Sequence, residues 1–410
     1  MKTKKSKGKT ALIVIASIIG CIAVLIGAFA LISFIGIKSN QNFIKTIPAV
    51  EYDNQLEPAV AEDGYYTFVT NDNLRVMQLT DIHIGGGFMS IKKDTKALNA
   101  VASMITAEKP DLVVVTGDIA YPVPFQSGTF NNKNSARLFA ELMEQLGVYW
   151  APMFGNHDTE VYSYYTREEI CDFYTSGEFS HCLLQAGPAE VDGCGNYIIN
   201  VKNTDGKIVQ SLIMMDSQSY QGSGIIDGII MKYDRIHDNQ VQWYKDEINA
   251  LTQENGGETP KSLAFFHIPL MEYKDAWAEY VENDKQDTEN VKLIYGKVGE
   301  KEDGIYCADE NCGLFDAALE LGSTQAFFCG HDHLNNFRIN YKGIDLTYGY
   351  SIDYLAYFGI AKYGAQRGCT MIEINQDGTY TSQLENYYQD KYSAVNAKEQ
   401  VSMEDMAPVY

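Results

Sequence analysis

Five apolar runs in this chain each end in a polar cluster of aspartate, asparagine or histidine. NLRVMQL stops near Asp81-Ile82-His83, DLVVVT at Gly117-Asp118, and VYWAPMF at Gly155-Asn156-His157-Asp158. SLAFF stops at His267, and AFFC at Gly330-His331-Asp332-His333. Short runs of β-branched and aromatic residues read as buried strands. The stretches between them have helical spacing: TKALNAVASMITAEKP stopped by Pro110, SARLFAELMEQLG closed by glycine, then NQVQWYKDEINALTQ and LFDAALELG. Strands alternating with helices predict a largely parallel α/β core, and the aromatic-rich strands after residue 336 add antiparallel pairing. Length alone allows two or three domains, but clusters spread from 81 to 333 are useful only together, which predicts one.

Five of the seven histidines fall in these clusters; His181 and His237 lie in polar surroundings and read as surface residues. In open α/β sheets, ligands bind outside the carboxyl ends of the strands. One such cluster reads as a turn. Five together would leave buried charge unpaired, which is costly unless a cation is shared. Seven donors exceed what one tetrahedral ion accepts, so the count implies two ions linked by a bridging carboxylate. Carboxylate, amide and imidazole donors suit Mn, Fe or Zn better than Mg or Ca.

The first ten residues carry five lysines and no acid, and residues 11–37 run without a charge. At about 1.5 Å per residue that run exceeds the ~30 Å hydrocarbon core. Ala28-Phe29-Ala30 resembles a signal-peptidase site, but the apolar run continues to Ile37, which predicts an uncleaved signal anchor. The preceding lysines keep the N-terminus cytoplasmic and send the rest outside. Beyond residue 38 stand 26 basic against 54 acidic residues, a net of −28 that excludes nucleic acid as an expected partner. Of eight cysteines, Cys21 lies in the apolar run and seven lie beyond it, with Cys171/Cys182 and Cys307/Cys312 near enough in sequence to pair. Residues 282–310 read as a charged insertion.

The ordered set DxH, GD, GNHD, H and GHDH resembles the calcineurin-like metallophosphoesterase superfamily. The closer likeness is to purple-acid-phosphatase-related proteins of the plant and yeast trafficking branch and their bacterial relatives. It is carried by LTDIHIG, PDLVVVTGD, GNHD, AFFHIPLMEY, NCGLFDAALELG and FCGHDHLNNF, across residues 73–375. The resemblance implies two mixed sheets sandwiched by helices (α/β/β/α). It implies that Asp81, His83 and His333 hold one metal, that Asn156, His267 and His331 hold the other, and that Asp118 bridges them. It makes His157 the catalytic histidine and lets Asp158 orient it. Bridging cations would acidify a water for in-line attack on phosphorus. Tyr121 completes GDIAY, matching the GDxxY of true purple acid phosphatases, whose tyrosine binds ferric iron. Those enzymes lack the histidine of DxH, so the presence of His83 places Tyr121 outside direct coordination and argues against a purple centre.

The expectation is therefore a single-pass cell-membrane protein with an extracytoplasmic catalytic domain. Its segments are a basic N-terminus (1–10), a transmembrane anchor (11–37), a linker and leading strand (38–72), the metallophosphoesterase domain (73–385) and a polar tail (386–410). The expected reaction is hydrolysis of a phosphate ester, monoesters favoured, with two divalent or mixed-valence ions. A phosphodiesterase of the same fold is the alternative, and a catalytically silent tethered binding protein the rival from another class. Gly85-Gly86-Gly87 reads as a flexible turn and lacks the ending of a phosphate-cradling P-loop. Arg367 reads as a phosphate contact or a salt bridge, and the late tyrosines 348, 350, 354, 357 and 363 as strand packing.

Overall fold

A computed structural model describes residues 4–222, 232–357, 360 and 367–393. Tyr363 and residues 394–410 of the expected tail lie outside the described residues. In chain order the strands are β1 (Ala59–Val60), β2 (Tyr66–Val69), β3 (Leu74–Leu79), β4 (Leu112–Thr116), β5 (Trp150–Met153), β6 (Tyr197–Lys202) and β7 (Ile208–Met214). They continue with β8 (Lys261–Phe265), β9 (Val291–Tyr295), β10 (Thr324–Cys329), β11 (Arg338–Tyr341), β12 (Ile344–Tyr348), β13 (Gly368–Ile374) and β14 (Tyr380–Asn386). They form two sheets, ordered β1-β2-β6-β7-β8-β10-β12-β11-β9 and β14-β13-β3-β4-β5.

Side-chain alternation along the strands shows how the layers stack. Leu212, Met214, Leu263, Phe265, Ala326 and Phe328 of the larger sheet share one core with Val76, Val113 and Trp150 of the smaller. Their neighbours Ile213, Ala264, Phe266 and Phe327 turn the other way, onto helices Asp238–Glu254, Met271–Glu282 and Leu314–Leu321. Helices Ile91–Glu108 and Asn132–Leu146 join the first core. A strand with a period of two that is apolar on both faces must be covered on both. The result is the expected sandwich of two mixed sheets between helices.

The parallel pairs that carry the polar strand ends are β3-β4 and β4-β5 in one sheet, and β7-β8, β8-β10 and β10-β12 in the other, where β2-β6 is parallel as well. The carboxyl ends of the two sets meet at a seam. Thr80 forms a parallel bridge with Ser351, and Gln78 Nε2 donates to the Cys329 carbonyl at 3.0 Å. Gly330 permits this approach, because a Cβ there would stand 1.8 Å from Thr80 Oγ1.

Four expectations change in detail. The N-terminal helix runs unbroken from Lys4 to Ile44, so the stretch expected as a linker begins inside it and then supplies β1 and β2. The charged insertion carries β9, an edge strand antiparallel to β11. Gly85-Gly86-Gly87 is pinned rather than flexible. Its first two N–H groups donate to the Asp94 carboxylate at 2.8 and 3.1 Å, and a Cβ on Gly87 would meet the Ser127 carbonyl at 2.2 Å. The cysteines are free, and the Cys171 thiol is raised first by its hydrogen-bonding contact with Cys194 rather than by Cys182.

Candidate metal centre

Strand ends place the donors. β3 delivers Asp81 and His83, β4 delivers Asp118, and β5 delivers Asn156. β8 and β10 bring His267, His331 and His333 across the seam. Asp81, His83, Asp118 and His331 hold positive φ of 48°, 54°, 55° and 77°. Side chains other than glycine rarely adopt this region, at a cost of about 1–3 kcal/mol each unless the surroundings over-determine it. Here they do. His83 N–H donates to the Asp118 carbonyl at 3.0 Å, and His331 N–H to Asp81 Oδ1 at 3.1 Å. The Asp158 carboxylate accepts the N–H groups of Asp118 and Gly155 at 2.8 Å and of Ala120 at 2.7 Å.

The donor atoms fall into two overlapping groups. One ligand atom each from Asp81, His83, Asp118 and His333 lies within 4.8 Å of the others, and all four residues are buried. His267 Nε2 lies 3.2 Å from Asn156 Oδ1 and 3.3 Å from His331 Nδ1. Asp118 Oδ2 belongs to both groups, 3.1 Å from His83 Nε2 and 3.3 Å from His267 Nε2.

The outward atoms of these rings are already held. His267 Nδ1 faces the Thr116 carbonyl at 2.8 Å, so its proton sits there and the Nε2 lone pair faces inward. Asn156 Nδ2 donates to Tyr220 Oη at 2.8 Å, which turns the amide oxygen toward His267. Inward-facing nitrogen and oxygen lone pairs with few protons between them require a cation. The carboxylates favour positive charge at the same place, whether it arrives as a metal ion or as protons on the rings. Burial alone would push the His83 imidazole down, but Asp118 and Asp353 overcome it and raise it to about 10. Against the same burial, Asp118 and Asp81 raise His267 to about 9. His331 goes the other way, lowered by burial and then by the His267 charge beside it. The residues fit metal ions.

Sequence reasoning missed three supports. Asp353, fully buried after β12, lies 3.3 Å from His83 Nδ1 and 3.4 Å from His333 Nδ1, one carboxylate orienting a histidine from each sheet. Its signal was a strand followed by YSIDY, another polar strand end, but one without histidine. Glu160 Oε1 lies 2.7 Å from His157 Nδ1. It corrects the role expected of Asp158, whose carboxylate is taken up by three backbone N–H groups as described above. Tyr220 holds Asn156 and donates to Glu160 at 3.3 Å, a link across 60 residues that no local pattern announces.

Arg367 is also corrected. It is buried and donates to the Ile352 and Asp353 carbonyls at 2.8 and 3.0 Å, bracing the loop that carries Asp353 rather than facing a phosphate. The Tyr121 ring packs 4.7 Å from that of His83, and its hydroxyl donates to Gln126 at 2.8 Å. Burial, then the charges of Asp353 and Asp118, raise that phenol and keep it protonated.

Comparison with known proteins follows the same lines. The family model for calcineurin-like phosphoesterases matches residues 74–335. The chain is 28% identical over 346 residues to the probable inactive purple acid phosphatase 29 of Arabidopsis thaliana, covering 78% of this chain and 82% of that protein. It is 30% identical over 284 residues to the phosphatase DCR2 of Saccharomyces cerevisiae, covering 64% of this chain and 44% of that one. Among solved structures, a dimetal phosphatase from Danio rerio aligns over 78% of this chain and 98% of its own, with a TM-score of 0.45 and 11% identity.

Proposed function

The chain belongs to the calcineurin-like phosphoesterase family, and from that premise we propose that it is a membrane-anchored, extracytoplasmic, dinuclear-metal phosphoesterase acting on phosphate monoesters. The observation that carries this reading is the position of Asp118 Oδ2 between two complete donor groups, with His157 beside them. Asp81, His83 and His333 would hold one ion, Asn156, His267 and His331 the other, and Asp118 would serve both. The donor set favours Mn, Fe or Zn. Ions held there supply Lewis-acid polarisation of phosphoryl oxygens and acidify a water. Residues 73–385 form the catalytic domain, and the lysine-flanked helix anchors it with the domain outside.

His157 supplies what the donors do not. Its N–H donates to Asp118 Oδ1 at 2.9 Å, so the imidazole is placed by the same carboxylate that links the donor groups. Glu160 accepts a hydrogen bond from Nδ1–H, so that in the doubly protonated ring Nε2–H is left to serve the ester, donating its proton to a leaving oxygen or holding developing charge on phosphorus. The Arabidopsis relatives carry "probable inactive" in their names, and the rival is a silent binding protein. This chain keeps every donor and His157, which favours turnover. The full chain in detergent, loaded with Mn, Fe or Zn and offered chromogenic mono- and diesters, should hydrolyse the monoester. Cleavage of diesters alone would replace the substrate class, and turnover of neither would leave the binding protein.

A further inference from the structure

The apolar N-terminal helix does not stand clear of the domain. Gln41 Nε2 donates to Glu141 at 2.8 Å, and Asn40 Oδ1 accepts from Thr95 Oγ1 at 2.7 Å. Lower down, Gly36 lets Ile91 close on the helix, since a Cβ there would meet Ile91 Cδ1 at 2.3 Å. Lower still, Phe29 stacks on Phe88 with ring centroids 4.5 Å apart. The partners fall from Thr95 through Ile91 to Phe88 as the helix falls from Asn40 to Phe29, so among these contacts the loop at 88–89 meets the helix deepest toward the membrane. About 20 residues cross the hydrocarbon core. The uncharged run 11–37 is longer than that, so Phe29 and the ring stacked on it lie in its outer part, toward the outer face of the bilayer.

That face is apolar well beyond the helix. Among the described residues, eleven large hydrophobic side chains outside the N-terminal helix are exposed, and six of them lie in three adjoining loops: Met89, Phe125, Phe130, Val161, Tyr162 and Tyr164. Phe125 is 88% exposed and Tyr164 66%. The loops touch one another. Phe88 and Met89 pack over Gly128, and Tyr164 N–H donates to the Phe130 carbonyl at 2.9 Å. Single exposed apolar residues are ordinary, but a contiguous set marks a contact surface. With a net charge of −28 beyond residue 38, the domain is repelled by anionic headgroups, so contact with lipid must rest on apolar groups such as these.

The same loops border the metal centre. Phe125 precedes Gln126, which holds Tyr121 against His83 and His157. Val161 follows Glu160, which holds His157. We infer that the loops carrying Met89, Phe125, Phe130, Val161 and Tyr164 rest on the lipid surface, so that the site takes phosphate esters carried on lipids. The inference rests on the anchored phosphoesterase reading above. A headgroup ester at the bilayer face reaches such a site without leaving its leaflet, whereas a soluble ester must find it from bulk water.

The test uses the full chain in phosphatidylcholine nanodiscs containing brominated lipid, which quenches nearby tryptophan. The native Trp150, Trp243 and Trp277 are buried and give a constant background. Phe125→Trp and Tyr164→Trp should be quenched like Leu25→Trp within the anchor, and Leu319→Trp should not. In unbrominated discs, phosphatidate should be hydrolysed with higher kcat/KM than soluble glycerol 3-phosphate. Phe125→Asp combined with Met89→Asp should lower the phosphatidate rate on the order of tenfold and leave nitrophenyl phosphate unchanged. An unquenched Phe125→Trp beside a quenched Leu25→Trp would overturn the docked surface, and equal kcat/KM for the two esters would overturn the substrate. An unquenched Leu25→Trp would remove the anchor and the docking with it. Quenching of Phe125→Trp without turnover of nitrophenyl phosphate would support the docked surface while striking the phosphoesterase reading.

Discussion

His157 and Asp353 touch the same cluster but should fail in different ways. His157→Asn leaves the donors in place, so two metals per chain should remain by elemental analysis while kcat falls about 10²–10⁴-fold. The loss should shrink for nitrophenyl esters, whose leaving group departs without a proton. Glu160→Gln should show the same pattern more weakly, because an amide oxygen can still accept from Nδ1. Unchanged turnover of an alkyl phosphate by His157→Asn would remove that residue from the reaction. Asp353→Asn should instead weaken metal binding about 10–100-fold, because it loosens a histidine from each sheet. Full occupancy at limiting metal in Asp353→Asn would show that the two histidines need no such partner. Of these residues, His157 was singled out through the resemblance that the five motifs carry together. Glu160 and Asp353 were not, because whether a carboxylate meets an imidazole depends on two loops converging.

The strand ends act as elements, and their glycines set how closely the sheets approach. Gly330→Ala places a methyl group where Thr80 Oγ1 stands, so the seam must open. We expect a loss of about 1–3 kcal/mol in a denaturant melt, together with reduced metal content, since His331 and Asp81 are hydrogen-bonded across that point. A variant with parental stability and two metals would mean that the sheets have room to spare. The strands that carry donors were all readable as apolar runs. β9 was not: it lies at the sheet edge, where exposed Lys292 and Ile294 alternate with covered residues, and edge polarity resembles a loop. Helix Met271–Glu282 was hidden for a similar reason, with only Glu272, Tyr273, Ala276 and Trp277 buried along one narrow face.

For the whole molecule, the metals should act as a clasp between the two sheets. Donors from β3, β4 and β5 face donors from β8 and β10, so each bound ion ties the layers together. An ion present at about a thousand times its Kd stabilises the fold by about 4 kcal/mol. At roughly 2–4 °C per kcal/mol, chelation should lower Tm by on the order of ten degrees. Recovery should follow Mn, Fe or Zn and not Ca. Equal Tm with and without chelator, in protein shown to have carried metal, would mean that the ions contribute nothing to the junction of the sheets.

Local chemistry along the chain already determined much of this protein. Apolar runs ending in histidine, aspartate and asparagine imply parallel strands whose carboxyl ends share an edge suited to metal ions, and a long uncharged run behind lysines implies one long apolar helix. Those inferences need only periodicity, charge and donor type, which each segment carries by itself. Tertiary structure alone decided which carboxylate serves which imidazole. It put Asp158 on the backbone, Glu160 on His157, Asp353 on His83 and His333, and Arg367 under the loop rather than in the site. It also stacked Phe88 on Phe29, joining residues 59 positions apart. Hydrogen bonds and ring contacts act over a few ångströms in space, and separation along the chain does not encode that distance.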